Sequence, residues 1–226
     1  MNFGVAVKTF QPTAGLRWGL LERTMDSVRE NFASAKCLLY DNSPTDDDAE
    51  QLMSLLGEWR FGMTKDGTTH TPGDGANRLV KIAGDLWSVD VLVTSDDDMA
   101  WKPGAQEKLN AFWSEAPEDV TICCGLLEPV WEHNKPRELV EAGGQKALVR
   151  DSVPGAAWSF RMRHVKRIFP VVADFGYDTR ACERLLSQGH RVCAMDLCDH
   201  AGWGASSHGN EMLRRARPLD REKWGI

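Results

Sequence analysis

No stretch of this chain approaches the ~20 consecutive apolar residues that cross a bilayer, and the opening MNFGVAVKTF lacks the basic start and cleavage site of a secretory signal. A soluble, cytoplasmic protein is the expectation. An excess of positive charge is also missing: 27 Lys and Arg stand against 33 Asp and Glu, a net charge of -6. That balance argues against a protein that coats nucleic acid through charge alone. Basic residues gather only near the end, at Arg214, Arg215, Arg217, Arg221 and Lys223, where a solvated helix face is a plainer reading than an acceptor-binding patch. The six cysteines (Cys37, Cys123, Cys124, Cys182, Cys193, Cys198) form no CxxC pair and no regular spacing. Most fall in apolar segments, where a reduced thiol acts as a small hydrophobe. With no composition break and no Pro/Ser-rich linker, the 226 residues read as one domain.

What is present is alternation. FGVAVKTF is a short apolar strand followed by the Pro and Gly of QPTAG. From Leu16, the residues Leu20, Val28 and Phe32, with Leu21 and Met25 beside them, make the stripe of a helix packed on a sheet. AKCLLYD is a second strand ending in Asp41, with a turn through Pro44 and an acid-rich helix start. WRFGMT predicts a third strand, DGANRLVKIAGDL a helix closed by Gly84, and VDVLVT a central parallel strand covered on both faces. Pro103 suits the first turn of the next helix, whose inner side carries Leu109, Phe112 and Trp113. This order predicts an α/β sandwich around a mostly parallel sheet.

In such sheets ligands bind beyond the carboxyl ends of the strands. Lys8, Thr9, Asp41 and the triplet Asp96, Asp97 and Asp98 all fall there. Crowded carboxylates raise one another's pKa unless a cation neutralises them, so a metal site explains the triplet; a solvated acidic turn is the competing reading.

Taken in order, the motifs resemble the GT-A glycosyltransferases, most closely the inverting, family-2-like branch that uses nucleoside diphosphate sugars, over nearly the whole chain. In LLYDNSPTDD, Asp41 matches the aspartate that hydrogen-bonds the nucleobase; shaping an Asx turn before Pro44 is the local alternative. GANRLVKIAGDLWSVDVLVTSDDD is similar to the stretch in which a helix with an early asparagine, here Asn77, leads into the DxD strand. Asp96 then stands near ribose and metal, and Asp98 is a metal ligand. DFGYDTRACERLLSQGHRV resembles the segment with the catalytic acid pair: Asp178 takes the second position, and Tyr177 stands where the first acid is usual. CDHAGWGASS resembles the late metal-binding histidine and its small-residue loop, which nominates His200.

The resemblance implies a GT-A (Rossmann-like) domain with a nucleotide-sugar half over 1–101, an acceptor and catalytic half over 102–209 and a basic tail over 210–226. It implies a Mn2+ (or Mg2+) ion held by Asp96, Asp98 and His200, and a nucleotide diphosphate sugar, UDP-sugar favoured, as donor. Lys8, Thr9 and Phe10 flank the base in this reading or, more plainly, anchor the core. Asp178 is the candidate base, with helix capping as its other role. Trp131 and Trp158 are candidates for stacking or for core packing, and RMRHVKR (161–167) for an anionic acceptor or for a solvated helix face. The tail RRARPLDREKW lacks the glutamine-arginine-tryptophan motif of processive polymer synthases, so a single transfer is implied. The acceptor stays open among lipid-linked sugars, proteins, metabolites and hydroxymethylated DNA bases. Rival readings are a retaining transferase, a sugar nucleotidyltransferase and a non-catalytic nucleotide-sugar binder. The dense Gly-rich basic loop expected of a nucleotidyltransferase is absent from QPTAGLRWG.

Overall fold

β-Branched apolar runs alternating with striped helices fold into one nine-stranded sheet, in the order β3-β2-β1-β4-β9-β6-β10-β8-β7. The computed structural model describes residues 1–10, 17–43, 49–56, 61–65, 71–128, 130, 134–174, 176–202, 214 and 216–226. The QPTAG loop, Leu16, Pro44 and the acid-rich helix start, Trp131, Arg215 and the end of the AGWGASS loop lie outside the described residues.

β1 (Phe3–Thr9), β2 (Lys36–Asp41), β3 (Phe61–Lys65) and β4 (Val91–Asp96) run parallel. β4 is fully buried from Val91 to Ser95, as a strand covered on both faces must be. Its second neighbour corrects the expectation of parallel pairing on both sides: β9 (Trp158–Arg161) is antiparallel to it and to β6 (Val120–Cys124). β6 pairs in parallel with β10 (Arg191–Ala194), and the edge is a hairpin of β7 (Pro136–Ala142) and β8 (Gln145–Arg150). The hairpin turns on Gly143 and Gly144, at φ 55° and 69°, a turn that glycine pairs favour.

The helices α1 (Arg17–Asn31), α2 (Ala49–Leu56), α3 (Pro72–Leu86) and α4 (Ala105–Glu115) follow successive strands. α1 buries Leu21, Met25 and Val28, with Phe32 just beyond it; Leu20 stands at the margin of the stripe. α3 begins at Pro72 behind the cap Thr71 and continues through Gly84 to Leu86, so Gly84 does not close it; an interior glycine weakens a helix without ending it. α4 starts after Gly104, one turn position later than Pro103 predicts, and buries Leu109, Phe112 and Trp113 as expected. A short helix, α5 (Val165–Ile168), precedes α6 (Tyr177–Ser187).

RMRHVKR is not a solvated helix face throughout. Arg161 ends β9 and donates to the Trp113 and Ala116 carbonyls, closing the C-terminus of α4, and His164 is buried against Glu118. Trp158 is 1% exposed and packs edge-on to Phe169 and Tyr177, so core packing is its place. The six cysteines are free thiols and buried. Among the described residues no helix is long and apolar enough to cross a membrane.

Candidate functional site

Parallel register sets the carboxyl ends of β1, β2 and β4 side by side. Thr9 is paired with Asp41, and Lys8 with Asp96. The acidic turn after β4 then resolves into three carboxylates with three different neighbours. Asp96 Oδ1 lies 3.2 Å from Lys8 Nζ. Asp97 turns inward, 3% exposed, and accepts from the Thr9 hydroxyl at 2.6 Å and from Arg17 Nη2 at 2.7 Å. It ties the turn to β1 and to the start of α1, so the mutual repulsion of the acids is offset by two basic side chains and a hydroxyl.

Asp98 meets His200. β5 (Met99–Trp101) and β11 (Cys198–His200) form a separate antiparallel ribbon that sets His200 opposite Met99. His200 Nε2 is 3.6 Å from Asp98 Oδ2. Ala201 N–H donates to the Asp98 carbonyl at 2.7 Å, and a Cβ on Gly202 would lie 2.4 Å from Asp98 Oδ2; only glycine lets the loop approach this carboxylate. Asp98 Oδ1 is buried without a hydrogen-bond partner among the described residues.

The environment shifts these groups in ways that bear on cation binding. Burial, then repulsion from Asp96 and Asp97, pushes the Asp98 carboxyl up to about 7, with Arg17 opposing. Burial brings His200 down to about 4, so near neutrality its imidazole is uncharged and able to ligate. Burial alone would depress the Lys8 ammonium, but attraction to Asp96 prevails and raises it. Burial raises Asp96, and Lys8 offsets part of that rise.

A divalent ion suits the Asp98–His200 pair. Two donors bonded to one such ion at about 2.1 Å stand about 3 to 3.6 Å apart for ordinary coordination angles, and the observed 3.6 Å falls at the end of that range. Among the described residues no group of three or more His, Cys, Asp and Glu side chains gathers in metal-binding geometry. Asp96 is turned to Lys8 instead.

The other nominated residues are placed as follows. Asp41 is fully buried and accepts from the Ser43 N–H at 2.9 Å, the Asx-turn arrangement. Thr9 is committed to Asp97, while Phe10 is 37% exposed at the strand end. The Asn77 amide bonds the backbone of Val171 in both directions, at 2.9 and 2.7 Å, and is not brought to the acidic turn. Asp178 is half-buried, in the first turn of α6 behind Gly176, which occupies the cap. Its Oδ2 accepts from Gly155 N–H at 3.0 Å and its Oδ1 from Thr179 N–H at 2.8 Å. Gly155, Tyr177, Trp158, Ser95, Lys8 and Asp96 line one narrow crevice, so Asp178 braces a wall of the cavity that Asp96 enters. A Cβ on Gly155 would fall 2.3 Å from the Tyr177 hydroxyl. A broader apolar groove between α3 and α5, lined by Val80, Met162, Val165 and Pro170, carries none of the strand-end acids.

Sequence reasoning missed Arg17 and the pairing of Lys8. The signal available was charge: three adjacent acids at a strand end call for basic partners, and Lys8 and Arg17 flank the neighbouring loop.

No family model matches the sequence, and no curated protein sequence matches it. Solved structures do. The mannosyltransferase PcManGT from Pyrobaculum calidifontis, in complex with GDP-Man and Mn2+, superposes with a TM-score of 0.58 at 13% identity, over 86% of this chain and 56% of that one. GalNAc-T7 with UDP, GalNAc and Mn2+ gives 0.66 at 12% identity, over 86% and 43%. S. aureus TarS 1-349 gives 0.62 at 11% identity, over 99% and 68%. The chain thus spans about half the length of the first two proteins. At these identities the likeness speaks of fold, and the fold is GT-A-like, shared with nucleotide-sugar glycosyltransferases.

Proposed function

We propose that this protein is a metal-dependent glycosyltransferase that moves one sugar from a nucleoside diphosphate sugar to an acceptor hydroxyl with inversion. The observation that carries the reading is the approach of His200 to Asp98 across the β5–β11 ribbon, at the strand ends where this fold class binds ligands. Its structural neighbours add weight: PcManGT was solved with GDP-Man and Mn2+, GalNAc-T7 with UDP, GalNAc and Mn2+, and TarS 1-349 with UDP-GlcNAc.

Asp98 and His200 would hold the divalent ion, with a diphosphate and water completing its shell. When bound, the ion neutralises charge on the departing diphosphate. The imidazole favours Mn2+ over Mg2+, which prefers oxygen ligands. Lys8 and Arg17 set the resting charge of the acidic turn, and Phe10 offers an exposed ring beside the strand end, where a nucleobase, with uracil favoured, would lie. Asp178 takes the proton of the acceptor hydroxyl. Each of its oxygens accepts one backbone N–H, which fixes the carboxylate and leaves a lone pair on each for the proton.

The test is donor turnover with and without Mn2+ over a panel of UDP- and GDP-sugars, with the anomeric configuration of the product read by NMR. Turnover that requires Mn2+ and inverts the configuration is expected. A retained configuration would remove the base role of Asp178, and donor binding without turnover on any acceptor would favour a nucleotide-sugar binder.

A further inference from the structure

Each acid of the turn has its own partner, and the one given to Asp96 has a consequence for the cation. Lys8 and Asp96 are register neighbours across β1 and β4, so their proximity is built into the sheet and does not depend on a mobile surface side chain. The Lys8 side chain is 15% exposed. Its ammonium sits 3.2 Å from Asp96 Oδ1 and 5.9 Å from the centre of the Tyr177 ring. Its stem passes the N-terminal turn of α3 at Gly75. Tyr177 is itself fixed, by edge packing on Trp158 and by contact with Gly155. A lysine confined on these sides has little freedom to swing away.

We propose that Lys8 is an internal counter-ion that occupies Asp96, so that among the described residues the divalent cation is held by Asp98 and His200 and is completed by the nucleoside diphosphate. This rests on the donor- and metal-binding reading of the same acidic turn and assigns Lys8 as a positioning residue beside it. An ion at the Asp98–His200 pair reaches Asp96 only through Oδ2 or by breaking the ion pair, and in either case against the charge of a lysine that the two central strands hold beside the carboxylate. With no third His, Cys, Asp or Glu gathered there among the described residues, the ion binds weakly by itself and tightly once a diphosphate supplies oxygen ligands. Lys8 thereby links cation binding to donor binding.

The experiment reads Mn2+ binding directly, from the EPR signal of the free ion, in the full-length protein without nucleotide and then with UDP. Asp96→Asn should leave the affinity for Mn2+ alone within about twofold of wild type, because Asp96 is not a ligand while Lys8 holds it. Lys8→Met should tighten Mn2+ binding about tenfold by releasing Asp96 to the ion, and the double variant Lys8→Met/Asp96→Asn should lose that gain. Lys8→Arg, which keeps the charge, should stay near wild type and control for packing. Asp98→Asn should weaken binding about tenfold or more. The proposal is overturned if Asp96→Asn weakens Mn2+ binding as much as Asp98→Asn does. It is overturned equally if Lys8→Met leaves Mn2+ unaffected while weakening UDP, which would make Lys8 a phosphate contact. Absence of Mn2+ binding in every protein, with or without UDP, would instead remove the metal reading of the site and the proposal together.

Discussion

The Asp98 carboxylate and the His200 imidazole come from positions about a hundred residues apart and meet at 3.6 Å. If they form the cation site, His200→Ala should cost about tenfold or more in Mn2+ affinity by calorimetry while leaving the circular dichroism spectrum unchanged. Asp178 makes a separable prediction. If the protein is the proposed transferase, Asp178→Asn should lower kcat about 10² to 10⁴-fold with donor affinity preserved, measured with a UDP- or GDP-sugar found to turn over. A loss of donor affinity with kcat intact would assign the side chain to bracing Gly155. A third prediction concerns stability. Burial holds the His164 imidazole below its ordinary value, against the opposing pull of Glu118, so the folded protein takes up the proton less readily than the unfolded chain, which protonates as pH falls through about 6.5. Stability present above that pH is lost on acidification. The urea midpoint of wild type should therefore lose more between pH 7.5 and 5.5 than that of His164→Gln; an identical change in the two proteins would contradict it. At this scale chain order draws attention to Asp98, His200 and Asp178, and of these the structure brings Asp98 and His200 together. It was silent on who neutralises whom: the partners Lys8 and Arg17 are 88 and 80 residues from Asp96 and Asp97, a separation no local pattern encodes.

Elements were legible in proportion to their periodicity. β1, β2 and β4 are unbroken apolar runs and α1 carries a four-residue stripe, so each was readable within a few residues. The β5–β11 ribbon was not, because two strands of three residues, Met99–Trp101 and Cys198–His200, are too short to show an alternation. It nonetheless positions the histidine. The glycine that lets the ribbon's loop close on Asp98 is the place to test this: Gly202→Ala should displace the carboxylate and weaken Mn2+ binding several-fold, with a much smaller effect on melting temperature than on affinity. The β7–β8 hairpin was missed although its Gly143-Gly144 pair is a recognised turn signal. Its last residue raises a separate energetic point. Arg150 is fully buried and gives Nη2 to the Leu127 carbonyl, while Nε and Nη1 find no hydrogen-bond partner among the described residues, and burial depresses its pKa. A buried charge so poorly compensated is costly. Arg150→Met, which keeps the aliphatic stem, should raise the melting temperature by about 2 to 4 °C for each kcal/mol recovered; a fall would mean that the guanidinium supports the fold.

Across the whole molecule, the sheet order explains why one edge collects the chemistry. β3, β2, β1 and β4 run parallel and end at one rim, and the antiparallel β9 lies between β4 and β6, which with β10 runs in the same direction as β4. The α/β architecture was readable from alternation, but the antiparallel insertion at β9 was not, since WSFR is four residues with no distinguishing pattern. Fold alone names no substrate, so the account rests on the cation and the diphosphate meeting at this rim. The direct measurement is thermal unfolding with UDP or GDP, each with and without Mn2+, in wild type and in Asp98→Asn/His200→Ala. The expected result is a rise in melting temperature from at least one nucleotide that requires Mn2+ and disappears in the double variant. Equal stabilisation without the ion, or full stabilisation in the double variant, would contradict it.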